Sequence, residues 1–360
     1  MNAILLTLAA TPLIPEPLMR YLVWPTIKFL IAFVMVQAIV AGMTYIERRM
    51  LGFMQARLGP NRVGPYGLFQ AIADPIKLML KEDIVPAKAE KVAYFLGPML
   101  PIIPAFVVFC LIPFGPPPMF AVTRVNVGLL LILALTSTGV YGIILGGWAS
   151  NNKFSLMGGL RSAAQMISYE VPFGLSIVGV LMICGSFDLV KIVQYQERHF
   201  WNVIPQIVGC FIFFVSMVAE TNRAPFDLPE AESELVAGFH TEYSGMKFAF
   251  FMLAEYAAML VNSCLIVSLF FGGWTLAMFN IGLTTKVLLN WGLIGALIGV
   301  SIFIVKVMLF MLVYIWFRGT FPRYRFDQLM DLGWKWMIPM ALINIVLTGL
   351  VILTLQSIGI

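Results

Sequence analysis

Apolar runs, each about as long as a bilayer is thick and separated by polar connections, dominate the pattern of this 360-residue chain. A helix needs about 20 mainly apolar residues to cross a membrane, and eight stretches satisfy that: roughly 21 to 46, 93 to 114, 127 to 149, 162 to 184, 203 to 220, 246 to 278, 288 to 317 and 333 to 356. The sixth and seventh are long enough to tilt or to project from the bilayer. Inside the first connection the spacing changes. Leu68, Phe69, Ile72, Ile76, Met79 and Leu80 share one side of a helix, and Gln70, Asp74, Lys77 and Lys81 share the other, which predicts an amphipathic surface helix. Pro75 either kinks that helix or starts a second one with Asp74 as its N-cap. The expectation is an all-α integral membrane protein: one transmembrane domain over 1–360 with about eight transmembrane helices, plus the surface helix.

Composition removes the soluble alternative. Hydrophobic residues make up 60% of the chain and charged residues 11%, against about 45–50% and 25% in soluble domains. In lipid each backbone polar group has to be satisfied within its own helix, so a bundle of spans follows. Lysine and arginine then orient it. The connections after spans one, three, five and seven hold sixteen basic residues and the alternate connections hold four, Arg124, Lys191, Arg198 and Lys286. By the positive-inside rule the four basic connections are cytoplasmic and both termini lie outside. The stretch Met1–Glu16 has no basic flank and runs at once into another apolar segment, so it reads as a short tail or surface segment rather than a cleavable signal.

Cys110, Cys184, Cys210 and Cys264 are scattered without a C-x-x-C pair, and His199 and His240 sit in polar connections. Neither an iron–sulfur cluster, a zinc site nor a bis-histidine haem finds its ligands in such a pattern, so no metal site or cofactor is expected on this chain alone.

The candidate chemistry is acidic. Glu170, Glu220 and Glu255 fall within spans, as does Lys306, and an ionisable group at membrane depth is by default a functional hypothesis. The bland alternative is that Lys306 pairs with Glu170 or Glu255 as structural glue. Between spans five and six the segment AETNRAPFDLPEAESELVAGFHTEY sets Glu220, Asp227, Glu230, Glu232, Glu234 and Glu242 against Arg223. Interleaved Phe226, Leu228, Leu235, Val236 and Phe239 suggest that this 220–245 loop folds back and lines a cavity, where crowded carboxylates would titrate as a coupled group. The 47–92 connection carries Arg48, Arg49, Arg57 and Arg62 and a glycine- and proline-rich turn, Gly59 to Gly67. Without a G-K-[S/T] ending that turn is no nucleotide loop, and its arginines suit anionic lipid heads or an acidic partner face.

The string ERRMLGFMQARLGPNRVGPYG with the following IADPIKLMLKED, the acidic segment above, and FRGTFPRYRFDQLM before the last span resemble three hallmarks of the H-type membrane subunits of respiratory complex I, a family whose mitochondrial counterpart is NADH dehydrogenase subunit one. The resemblance covers nearly the whole chain. It implies a quinone channel whose mouth is formed by the first span, the surface helix and the sixth span. Arg48, Arg57, Arg62 and Asp74 match positions along that channel, and Phe226 and Asp227 match its inner loop. It further implies a file of proton-carrying carboxylates toward antiporter-like subunits, here Glu170, Glu220, Glu230, Glu232, Glu234, Glu242 and Glu255. Some relatives carry a further carboxylate in the third span; this chain has none there, so any path leaves Glu170 through water or a neighbour.

On that resemblance the chain serves a proton-translocating NADH:quinone oxidoreductase, with quinone as substrate and NADH, FMN and iron–sulfur clusters belonging to partner subunits. The expected partners are peripheral-arm quinone-module subunits, antiporter-like membrane subunits and lipids, with no nucleic acid. The expected location is a bacterial inner membrane, a mitochondrial one being the alternative. A membrane component of a proton-pumping hydrogenase, a stand-alone cation/proton transporter and a passive anchor are the other readings; the anchor leaves the intramembrane glutamates unexplained.

Overall fold

The computed structural model describes residues 23–117, 120–228 and 235–358. Met1–Glu16 and three of the acidic-loop residues, Glu230, Glu232 and Glu234, lie outside them. Among the described residues the chain is almost wholly helical: α1 (Trp24–Met54), α2 (Gln70–Leu80), α3 (Lys91–Leu111), α4 (Gly128–Ser137), α5 (Gly139–Ala149), α6 (Lys153–Cys184), α7 (Leu189–Arg198), α8 (Ile207–Glu220), α9 (Gly245–Phe270), α10 (Thr285–Asn290), α11 (Gly292–Thr320), α12 (Phe326–Asp331) and α13 (Ile338–Ile358). One small antiparallel hairpin, β1 (Leu276–Met278) and β2 (Ile281–Leu283), pairs Leu276 with Leu283.

Seven helical segments among the described residues are long and apolar enough to cross a membrane: α1, α3, α4 with α5, α6, α9, α11, and α12 through α13. The eighth expected span is α8, whose 14 residues rise only about 21 Å at 1.5 Å each. It packs chiefly on α6 and brings Glu220 to its C-terminal end. The chain is a multi-pass membrane protein.

Two boundaries depart from the sequence pattern, and one open alternative is decided. The first helix continues past residue 46 to Met54, so Glu47 lies inside it. The sixth stops at Phe270 rather than 278, because Gly272 and Gly273 adopt positive φ and turn the chain into the hairpin. Pro75 lies within a single helix, α2, where Gln70 Nε2 donates to Asp74 Oδ1 at 2.8 Å.

Close backbone approach sets the interior. A Cβ at Gly158 would come 2.7 Å from Gly238 Cα, so the absence of a side chain on α6 lets the acidic loop lie directly on it. Gln165 fixes the same loop: its amide nitrogen donates to Ala219 O at 2.7 Å, Phe226 O at 2.8 Å and Asn222 Oδ1 at 3.1 Å. Phe226, Leu228, Leu235 and Phe239 are accordingly buried, whereas Val236 is exposed.

Candidate functional site

The helical register of α1 and α9 brings Glu47 and Glu255 toward one point, and the loop after α8 delivers Arg223 between them. Arg223 donates to Glu47 Oε1 at 2.8 Å and pairs through Nε with Glu255 Oε1, while Arg318 from the end of α11 also pairs with Glu47. Tyr256 donates to Glu47 Oε2 at 2.7 Å, and the Arg223 guanidinium lies 4.5 Å from the Tyr256 ring centroid. Glu47 is 3% exposed and Arg223 6%. Burial opposes charge on Arg223, but the carboxylates of Glu255 and Glu47 outweigh it and raise the group well above its ordinary range. Two carboxylates and two guanidiniums balance, which is the condition under which such a buried cluster holds.

On one side of Tyr256 lies a pocket of about 480 Å³ between α1, α2 and α9. Its walls are mostly apolar, and Arg48 and Asp74 supply an ion pair at 2.6 Å. Size and lining suit one elongated apolar molecule carrying a polar head. Arg57 and Arg62 are exposed and do not line this pocket.

Beside Glu255 lies an inner cavity of about 90 Å³, bounded also by Glu220, Asn222, Asn262 and Thr136 among others. It is polar in part and large enough for several waters. Glu220 Oε2 accepts from Asn262 Nδ2 at 3.3 Å. Glu170 on α6 meets Ser137 Oγ and is near enough to Glu220 for the two to interact electrostatically. Glu255 and Glu220 therefore border one cavity, and Glu170 lies within electrostatic reach of Glu220.

Asp227 and Glu242 are not brought together. Asp227 pairs with Arg323 at 2.9 Å, and Phe226 beside it stacks on Tyr324 with ring centroids 5.5 Å apart, so the acidic loop packs on the chain leading to α12. Burial lifts the Asp227 carboxyl above the usual aspartate range against the pull of Arg323. Glu242 accepts from Asn152 Nδ2 at 2.6 Å in a separate open pocket with Lys88 and Lys153. His240, flanked by the rings of Phe239 and Phe248, is brought down by burial to about 4.

Lys306 does not pair with a carboxylate, contrary to the bland alternative. Its ammonium donates to the carbonyls of Phe271, Gly273 and Thr275 at 2.7, 3.0 and 2.7 Å and lies over the Trp201 ring. A turn with glycines at positive φ aims three carbonyls at one point and satisfies every proton of the amine. No group of three or more His, Cys, Asp or Glu with metal-binding geometry occurs among the described residues.

A family model described as NADH dehydrogenase matches residues 27–349. The chain belongs to that family. It is 47% identical over 352 residues to the second of the H subunits of NADH-quinone oxidoreductase in Geobacter metallireducens, covering 93% of this chain and 97% of the relative. With the H subunit of the Brevibacillus brevis enzyme it shares 49% over 331 residues, 91% and 94% of the two chains, and with that of Salinibacter ruber 45% over 335 residues, 91% and 96%. Recognition of the H-type family from its three motifs is borne out. For this NADH dehydrogenase family member, pattern reading missed Glu47, Tyr256, Asn262 and Ser137. Glu47 escapes the pattern because the apolar run ends at residue 46, whereas the helix continues two turns further to Met54. An acid followed by two arginines at a span's end was the available signal. Asn262 and Ser137 carry no signal in a single sequence, since neutral polar residues are common in spans.

Proposed function

We propose that this chain is the membrane subunit of a proton-translocating NADH:quinone oxidoreductase that receives the quinone head and turns its reduction into proton movement along Glu255, Glu220 and Glu170. The observation that carries this reading is the sharing of one helical turn: Tyr256 borders the 480 Å³ pocket and Glu255 the inner cavity. The relatives' names supply the reaction; NADH, FMN and iron–sulfur clusters belong to peripheral-arm partners.

Reduction to quinol takes two electrons and two protons. Negative charge appearing on a head group ~6 Å from an acid, at an effective dielectric near 20, interacts with it by about 3 kcal/mol, equivalent to about two pKa units. The ionic cluster receives that charge. Drawn toward it, Arg318 loosens its hold on Glu47 and Arg223 its hold on Glu255, which takes up a proton from the inner cavity, and Glu220 and Glu170 adjust in turn. Arg48 and Asp74 position the quinone at the pocket; Phe226 and Asp227, which do not line it, hold the acidic loop against Tyr324 and Arg323. Arg57 and Arg62 serve the entrance or a partner face. Glu230, Glu232, Glu234 and Glu242 form the loop-side supply of protons. The basic connections face the cytoplasm of a bacterial inner membrane, and antiporter-like subunits receive the signal beyond Glu170.

Glu170→Gln tests the reading. In the assembled complex it preserves shape and abolishes pumping; unchanged pumping removes Glu170 from the path.

A further inference from the structure

The third membrane-crossing stretch is interrupted where three hydroxyl residues stand in a row: Thr136 and Ser137 close α4, and Thr138 separates it from α5. Each bonds back to a carbonyl one turn earlier. Thr136 Oγ1 lies 3.0 Å from Leu133 O, Ser137 Oγ 2.8 Å from the same carbonyl, and Thr138 Oγ1 2.7 Å from Leu135 O. Such bonds compete with the helical ladder and account for the break.

Ser137 differs from its neighbours because its oxygen also contacts Glu170 Oε1. Proton counting fixes what this contact can be. A serine hydroxyl has one proton to donate and can accept as well; a carbonyl only accepts; a carboxylate only accepts, but a carboxylic acid can donate. Both contacts of Ser137 are hydrogen bonds at once only when Glu170 is protonated and donates to Oγ, leaving the serine proton for Leu133 O. When Glu170 is ionised, the serine proton turns to the carboxylate, and Leu133 O retains the bond from Thr136. One side chain thus satisfies Glu170 in either state without movement of the backbone. Thr136, one residue away, borders the inner cavity that holds Glu220 and Glu255.

We propose that Ser137 is a positioning residue for proton transfer at Glu170, a hydroxyl rotor that reverses its hydrogen-bond sense as the carboxyl changes state. Ser137 keeps its one proton throughout. The transferred proton leaves the Glu170 carboxyl and is taken up by a neighbouring carboxylate, Glu220 being near enough to interact, and returns by the reverse step. The proposal rests on the proton-coupling reading above and adds to it the element that third-span chemistry supplies in place of a carboxylate.

The test uses the whole complex in proteoliposomes, with protons pumped per quinone reduced and the infrared difference band assigned to Glu170 by its loss in Glu170→Gln. Ser137→Ala is expected to assemble, to move the Glu170 band, and to lower coupled turnover about tenfold, the size set by one hydrogen bond to a charged group. Ser137→Thr, which keeps the hydroxyl, restores both. Should Ser137→Ala fail to assemble, Ser137→Cys, near in shape but a weaker donor, is expected to move the band with a smaller loss of turnover. Normal pumping and an unmoved band in Ser137→Ala or Ser137→Cys, alongside a dead Glu170→Gln, overturn the rotor and leave the proton-coupling reading intact. Normal pumping in Glu170→Gln overturns both.

Discussion

Glu255 and Asn262 stand two turns apart on α9 and face opposite company. At Glu255 acids meet cations: Arg223 joins Glu47 to Glu255, Arg318 joins from α11, and charge balances charge. At Asn262 acids meet neutral groups: Glu220 takes an amide hydrogen and Glu170 touches a serine hydroxyl. The difference teaches which region can fix charge and which can exchange it. Guanidiniums reward only the ionised carboxyl, whereas amides and hydroxyls offer a partner to both forms. A cluster of the first kind senses a charge appearing beside it and frees Glu255 to take up a proton only when Arg223 is drawn away; a pair of the second kind passes a proton without such a release. The cavity that Glu220 and Glu255 share lies between the two.

The largest effect comes from breaking the ionic side. Arg223→Ala leaves Glu47 and Glu255 buried without their common partner, a loss of about 3–5 kcal/mol, and is expected to abolish assembly or sharply lower the midpoint of thermal unfolding in detergent. Arg223→Lys, a point charge unable to bridge both carboxylates, falls between. Wild-type stability in Arg223→Ala would mean that the cluster is not the fixed point of the comparison.

The neutral side breaks differently. Glu220→Gln is expected to leave unfolding within about 1 kcal/mol of wild type, since an amide replaces a carboxyl among neutral partners, yet to reduce pumping more than tenfold. Equal loss of stability in Glu220→Gln and Arg223→Ala would erase the distinction.

His240 sharpens the boundary between the regions, its neighbour Phe239 bordering the inner cavity. The folded chain holds the imidazole neutral down to about 4, whereas an unfolded histidine gains a proton below about 6.5. The unfolded loop therefore binds more protons between these values. Stability at Gly238–Tyr243 is complete above about 6.5 and is lost as pH falls toward 4, by up to about 3 kcal/mol. Protection factors across that segment, with the intrinsic pH dependence of amide exchange divided out, should fall from pH 7 to pH 5 in the wild type and stay level in His240→Gln.

The smallest effect belongs to the pocket. Arg48, half-exposed and paired with Asp74, contributes about 0–1 kcal/mol to stability, so Arg48→Ala should fold normally and raise the apparent KM for quinone several-fold. Arg57→Ala should raise it less, because Arg57 stands outside the pocket. Equal KM values in wild type and Arg48→Ala would make Arg48 a lipid or subunit contact.

The sequence made the spans legible because lipid demands long apolar helices whatever their neighbours, and it exposed Glu170, Glu220 and Glu255 because acids at that depth are rare. What it hid was three-dimensional. That Arg223 serves Glu255 depends on a loop laid on Gly158 and held by Gln165. That Lys306 serves carbonyls rather than acids depends on the glycine turn that ends α9. Charge counting along the chain could offer Lys306 to a buried acid only as an alternative, with one lysine for three carboxylates, and backbone oxygens compete for an ammonium without leaving any mark in composition. Extending the first helix by two turns turned Glu47 from a juxtamembrane acid into the centre of the cluster.

The division between fixed and exchanging carboxyls is tested most directly by infrared difference spectra of the complex poised with oxidised and then reduced quinone. Carboxyl bands that change with quinone state are expected to vanish in Glu170→Gln and Glu220→Gln and to survive in a Glu47→Gln variant that still assembles. Quinone-sensitive bands that trace to Glu47, with none lost in Glu170→Gln or Glu220→Gln, would contradict it.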